Sequence, residues 1–305
     1  MSCPLVFACD AAYAMPLSTT LRSIVENNRS GWPLEFHVLS DGLSEYIQRR
    51  VLNSIPEGSA TIRWVPVDLA PFREFSTISH ISKMTYARFL IPYIFQDTLS
   101  RVLYLDADLL VLDDLGPIWD TNLEGAVLGA VLDGLDSQLK SSKPGLEKAP
   151  KVRDYFNAGV LLIDLDRWRK ERISEKSIEY LIGHPKSPFS DQDALNVACD
   201  GFWKKLDPRW NFQEFYEKKK ISNMSQEQRP GIIHFVTSLK PWDPRTMSIN
   251  ADLYDAFRSR TCFARTSQDK LWDILQGGWF HLKEVLRRYA FLRRVWQRTR
   301  PSMPR

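Results

Sequence analysis

The sequence predicts an α/β fold: one main domain on a mostly parallel sheet with helices on both faces. Three observations carry this. Short apolar runs alternate with stretches of helical spacing through the first half of the chain. The runs at 5–8 and 101–105 lead into acids, Asp10 and Asp106, and open α/β sheets bind ligands where their strands end. The chain has 305 residues, room for one large domain with an ample core.

The elements follow in order. Residues 5–8 read as a strand. Residues 16–28 read as a helix through Leu17, Leu21, Ile24 and Val25. Strand 34–39, a helix near 45–55 and strand 61–67 come next. Residues 86–95 are apolar and helical in pattern, with Pro92 as a break or kink. Strand 101–105 is followed by apolar strands at 127–132 and 159–163. Between these two lies 134–154, rich in Ser, Lys, Pro and Gly, and a connection of that length reads as a lid or a disordered loop. Residues 172–183 and 191–199 read as helices and 231–235 as a short strand. The body is predicted to span 1–265. A tail of 266–305 follows, with its helix starting near Trp279.

Hydrophobic content of 44% and charged content of 26% are those of a soluble globular protein. The net charge of +4 is unevenly spread: from Trp279 onward eight Lys and Arg stand against one acid, Glu284. The remainder is mildly acidic, which excludes a global basic field for nucleic acid. Cys3, Cys9, Cys199 and Cys262 form no C-x-x-C pair, so neither a disulfide framework nor a zinc site is expected and a reducing compartment fits best. The opening segment reads as a first strand, not a signal peptide. No run of 18 apolar residues occurs, so no spanning helix is predicted. Along the tail Leu282, Val285, Leu286, Tyr289, Leu292 and Trp296 fall on one stripe. A basic, aromatic, amphipathic helix over 279–300 reads as a binder of an anionic membrane surface. The expected location is cytoplasmic, peripherally on the cytoplasmic face of the membrane.

Four motifs carry chemistry. In Leu103-Tyr104-Leu105-Asp106-Ala107-Asp108 a strand runs into two acids two residues apart. On an extended backbone residues i and i+2 share a side, so both carboxylates can address one divalent cation. Turn and cap acids give the same pattern. In Ile232-Ile233-His234-Phe235, followed by Lys240, a strand delivers an imidazole and a cation comes six residues later. These suit a metal site and phosphate oxygens, and, taken alone, suit still better a core His beside a surface Lys. Asn157-Ala158-Gly159 offers small residues for close backbone approach to a ligand. Asp191-Gln192-Asp193 opens a helix. Asp191 there is a ligand contact or a cap, and the Gln192 amide can donate and accept at once.

Together these segments resemble glycosyltransferase family 8, and within it the bacterial lipopolysaccharide and lipooligosaccharide glucosyl- and galactosyltransferases. The likeness runs from about Leu5 to Trp242 through FACD, TYAR, VLYLDADLLV, YFNAGVLLIDLDRWR, SDQDALN and H…KPW, in the family's order. It implies a GT-A type, Rossmann-like mixed sheet flanked by helices, a UDP-sugar donor (UDP-galactose or UDP-glucose), and retention of anomeric configuration. It also implies manganese, with magnesium as the alternative, held by Asp106, Asp108 and His234. By the same resemblance Lys240 reaches the diphosphate, Ala8 and Asp10 surround the uracil, and Tyr13 stacks on it. Arg88 contacts the donor, Ala107 lies in the D-x-D segment beside it, and Asp133, Asn157, Asp191 and Gln192 surround the transferred sugar. Asp191 and Gln192 are the expected catalytic pair, and the acceptor is a glycan or lipid-linked glycan. Ala12, Ser190 and Thr237 stand where relatives carry Asn, Gln and Gly. These changes bear on uridine contact, donor sugar and the turn before Lys240. Two other functions compete: a homologue that binds UDP-sugar without turnover, and a nucleotidyltransferase. The latter normally carries a Gly-rich loop after its first strand, and FACDAAYAMPL has no glycine.

Overall fold

Alternate residues of the central strands feed two separate cores. In β1 (Cys3–Cys9) Leu5 and Phe7 belong to one core and Val6 to the other; in β4 (Arg101–Leu105) Leu103 and Leu105 oppose Val102 and Tyr104. A strand apolar on both faces is buried on both, as a sheet covered by helices requires. The helix Ala14–Asn27 packs Leu17, Leu21 and Ile24 on the first face. Tyr86, Phe89, Leu165, Trp168 and Leu195 cover the second. The computed structural model describes residues 3–75, 77, 82–280 and 282–283.

Seven strands form the main sheet in the order β3 (Thr61–Pro66), β2 (Leu34–Ser40), β1, β4, β7 (Phe156–Asp164), β6 (Leu128–Leu132) and β8 (Trp203–Lys205). Only β7 runs against its neighbours. The sheet is therefore mostly parallel with one reversed strand, the mixed α/β class expected. A second sheet joins β5 (Leu109–Val111), β10 (Ile232–His234) and β9 (Phe212–Gln213). β5 and β9 are too short to show a period in sequence.

Three elements differ from expectation. Residues 86–95 are not one helix: a 3₁₀ helix, Lys83–Leu90, ends where Ile91–Ile94 begins. Pro92 lies in the first turn of the second piece, where its missing N–H costs no hydrogen bond. The connection 134–154 is not irregular throughout. It holds a helix, Asp136–Lys140, whose Lys140 pairs with Asp136 at 3.0 Å and Asp154 at 2.8 Å. Asp136 Oδ1 accepts from Tyr155 N–H at 2.8 Å and ties the segment to β7.

The third difference is the tail. Helix begins at 267, well before Trp279. A reciprocal cap starts it: Thr266 Oγ1 accepts from Asp269 N–H at 3.1 Å, and Asp269 Oδ2 accepts from Thr266 N–H at 2.8 Å. One side of this helix meets the body. Arg265 pairs with Asp273 at 3.1 Å, and a Cβ on Gly277 would lie 2.4 Å from Pro244 O. The other side exposes Leu271, Trp272, Leu275, Trp279 and Leu282 at helical spacing. The stripe predicted beyond Leu282 lies outside the described residues. Among the described residues no helix is long and apolar enough to cross a membrane.

Candidate active site

Strand register assembles the acid–imidazole cluster. Asp106 follows β4 directly, and its N–H donates to Gly159 O on β7 at 2.9 Å. β10 pairs antiparallel with β5, setting His234 opposite Leu109. Phe235 N–H then donates to Asp108 O at 3.2 Å, so a histidine remote in sequence lands beside the acid pair. Ligand atoms of Asp106, Asp108 and His234 lie within 4.8 Å of one another. His234 Nε2 is 3.3 Å from Asp108 Oδ1 and 4.0 Å from Asp106 Oδ2. Asp108 Oδ1 is buried without a hydrogen-bond partner among the described residues, an orphan that a cation would satisfy. Two carboxylates and one imidazole fit a divalent ion.

Charges around the cluster are paired. Burial alone would push the Asp108 carboxyl up. The Lys240 ammonium at 2.7 Å outweighs burial and holds that carboxyl well below the usual range. Lys240 Nζ also donates to Phe235 O at 2.6 Å. Arg88 is buried and fully engaged: Nη1 donates to Ala158 O at 2.8 Å and Nη2 to Asp106 Oδ1 at 2.9 Å. Its Nε lies 3.2 Å from Asp191 Oδ2. Tyr104 O–H donates to the same Asp106 oxygen at 2.8 Å. Burial raises the Asp191 carboxyl, and Arg88 only partly offsets this.

Beyond Arg88 a polar group faces the same cleft. Gln192 donates through Nε2 to Asp133 Oδ2 at 3.0 Å and accepts at Oε1 from Ala158 N–H at 3.0 Å. Asn157 Nδ2 donates to Asp133 Oδ2 at 2.9 Å. Asp191 and Gln192 open the helix Asp191–Ala198, yet the Asp191 carboxylate goes to Arg88 and does not serve as the cap. Ser190 before them sits at φ 51°, ψ −116°. A serine held there costs about 1–3 kcal/mol, the sort of strain that clusters at active sites. Thr237 is not among the positive-φ residues, so the turn before Lys240 does not demand the glycine that relatives carry.

Ala8, Asp10, Tyr13, Arg88, Asp106, Ala107, Asp108, Asp133, Asn157, Asp191, Gln192, His234 and Lys240 all line one cleft of about 470 Å³. Asp10 Oδ1 accepts from Tyr13 N–H at 3.1 Å, and the Tyr13 ring meets Trp242 edge to face. Arg88 lines the cleft as well, with its guanidinium engaged by protein acids and a carbonyl. Sequence reasoning missed Tyr104, which stood inside the quoted motif. It also missed Asn211 and Tyr216, for which no local pattern gave a signal.

A mixed sheet carrying a D-x-D pair, a strand-borne histidine and a lysine around one polar cleft defines a GT-A glycosyltransferase. The profile of glycosyl transferase family 8 matches residues 4–246, and the chain belongs to that family. It is 30% identical over 272 residues to general stress protein A of Bacillus subtilis, covering 84% of this chain and 93% of that protein. It is 29% identical over 219 residues to the lipopolysaccharide 1,3-galactosyltransferase of Salmonella typhimurium, covering 68% of this chain and 64% of that one. The crystal structure of the galactosyltransferase LgtC with donor and acceptor sugar analogs superposes with a TM-score of 0.74 at 29% identity. That match covers 87% of this chain and 98% of LgtC.

Proposed function

We propose that the protein transfers a hexose, glucose or galactose, from UDP to a glycan acceptor with retention of configuration, using manganese. The observation that carries this is the convergence of Asp106, Asp108 and His234 beside Lys240 in a cleft. The ion would supply Lewis-acid stabilisation of charge on the departing diphosphate. Lys240 lies where it can leave Asp108 for a phosphate oxygen as a point charge. Ala8, Asp10 and Tyr13 take the uracil end, with Ala107 between the two acids. Arg88 holds and orients the Asp106 and Asp191 carboxylates. Asp133 and Asn157 bind sugar hydroxyls. Gln192 and Asp191 hold the sugar near its anomeric carbon. An amide is a poor nucleophile. Same-face substitution through an oxocarbenium-like state is therefore the mechanism we favour, with a UDP oxygen helping to deprotonate the acceptor.

Release of UDP from UDP-glucose and UDP-galactose, with manganese and then with EDTA, tests the reading. Manganese-dependent release with the α-anomer kept in the product is expected. UDP binding without release would favour the non-catalytic alternative.

For the acceptor, Leu135, Phe189, Phe215 and Tyr216 line the same cleft, and aromatic faces suit sugar rings. Similarity to a lipopolysaccharide galactosyltransferase supports a lipid-linked glycan, with a role in lipopolysaccharide synthesis at the cytoplasmic face of the membrane. The tail from 266 would bring the body, 1–265, to that surface. Each basic residue near an anionic bilayer contributes about 1 kcal/mol, and the exposed apolar side chains from Leu271 to Leu282 add area. Truncation after Arg265 is expected to release the protein from anionic vesicles while sparing UDP-hexose hydrolysis. Undiminished co-sedimentation at moderate salt would rule the tail out as the anchor.

A further inference from the structure

Behind the acid–imidazole cluster runs one hydrogen-bonded line whose polarity is readable atom by atom. It begins at a backbone donor. Gly159 N–H donates to Asn157 Oδ1 at 3.0 Å, which fixes that oxygen and turns Asn157 Nδ2 to the Asp133 carboxylate. The same Asn157 Oδ1 lies 2.8 Å from the Asn211 amide. Oxygen against oxygen would repel, so Asn211 gives Nδ2 to Asn157 and turns Oδ1 the other way, to His234 Nδ1 at 3.0 Å. An amide oxygen only accepts. His234 therefore carries a proton on Nδ1, which leaves Nε2 as the ring nitrogen that can present a lone pair to an ion. That is the atom facing Asp108 Oδ1 and Asp106 Oδ2. Asn211 is 2% exposed and ends the 3₁₀ helix Pro208–Asn211, next to β9, which pairs with β10. Its own position is thus set by the strands that carry His234.

We propose that Asn211 is a positioning residue of the metal centre. It selects the His234 tautomer whose Nε2 lone pair faces the two aspartates. Through Asn157 it also ties that imidazole to Asp133 and Gln192 on the sugar side. The proposal rests on the metal reading given above. Asn211 does not line the cleft, so it acts through His234 and Asn157. Hydrogen-bond partners behind a metal-bound imidazole fix its tautomer and raise its affinity for the ion.

The test uses the full chain. Long-range ¹H–¹⁵N spectra, recorded at a pH where His234 is neutral, report the tautomer of each imidazole without any metal, with the His234 signals assigned by their loss in His234→Gln. Wild type is expected to show the Nδ1–H form, and Asn211→Leu the Nε2–H form or a mixture. Manganese, alone and then with UDP, is titrated by electron paramagnetic resonance. Asn211→Leu is expected to weaken its binding about 10–100-fold. Asn211→Asp keeps an acceptor for Nδ1–H but sets an oxygen against Asn157 Oδ1, so it is expected to restore the tautomer and only part of the affinity. Asn211→Ala replaces the leucine variant if that fails to fold. An Nε2–H wild type, or a leucine or alanine variant that keeps either the tautomer or the affinity, overturns the proposal. Binding that His234→Gln leaves unchanged overturns the metal reading itself. That outcome is distinct from one in which His234→Gln weakens binding and Asn211→Leu does not.

Discussion

Asp108→Asn is expected to slow manganese-dependent UDP release by about 10³-fold, the equivalent of a loss of several kcal/mol in transition-state charge stabilisation. The substitution keeps shape and removes charge. Its Oδ1 is the buried, unpartnered oxygen of the cluster and its Oδ2 holds Lys240 at 2.7 Å. An amide at this position cannot serve both roles. One of its two heavy atoms becomes an N–H donor, aimed either at the ion's position or at an ammonium that has no acceptor to offer. Asp106→Ala is expected to act in the same direction, because Arg88 and Tyr104 then hold nothing on that side of the site. Steady-state UDP release at saturating manganese, with an EDTA control, measures both variants. A thermal melt separates lost chemistry from lost fold. Activity that persists in EDTA, or in Asp108→Asn, would remove the metal from the mechanism.

The parts of the site legible in sequence are those built on local geometry. An apolar strand running into Asp106 and Asp108 announces its direction and its acids within six residues, and that pair sits where expected. The partnership of His234 with the acids depends on β5 pairing with β10. A three-residue strand carries no period, so geometry alone could not supply that contact and family resemblance had to. Asn211 was invisible for the same reason. Its role arises from distances to His234 and Asn157, whereas its neighbours Pro208 and Trp210 look like an ordinary turn. Arg88 is legible as a cleft residue, but its protein partners Asp106, Asp191 and Ala158 are not, because a motif names a position and not what faces it. The tail helix starts well before the predicted Trp279 because the Thr266–Asp269 cap lies upstream of the apolar stripe that begins at Leu282. Loop 134–154 has the composition of an irregular segment, yet the Asp136–Lys140 helix is held by pairings to Asp154 and Tyr155 near the loop's far end.

Gly159→Ala is expected to lower the rate of UDP release by about 10²-fold and to weaken manganese binding at least tenfold, the scale set by misplacing a reacting group by about 1 Å. In sequence the glycine reads as room for a ligand. In the fold that room is taken by the centre itself: a Cβ there would lie 2.3 Å from His234 Cε1 and 2.8 Å from Asp106 Oδ2. Something must move, and each neighbour is braced. The backbone of β7 is locked to Asp106 N–H and to β4 through the pairing of Leu105 with Val160. The imidazole is backed by Asn211, and the Asp106 carboxylate is gripped by Arg88 and Tyr104. The added methyl therefore drives the two ligand groups apart. Overpacking of this kind also costs about 1–3 kcal/mol of stability, which denaturant titration would register. Gly183→Ala is the matched control, since a Cβ there meets nothing within 4 Å among the described residues. It should leave both manganese affinity and rate unchanged. Wild-type manganese affinity in Gly159→Ala would mean that Asp106 and His234 do not hold the ion together.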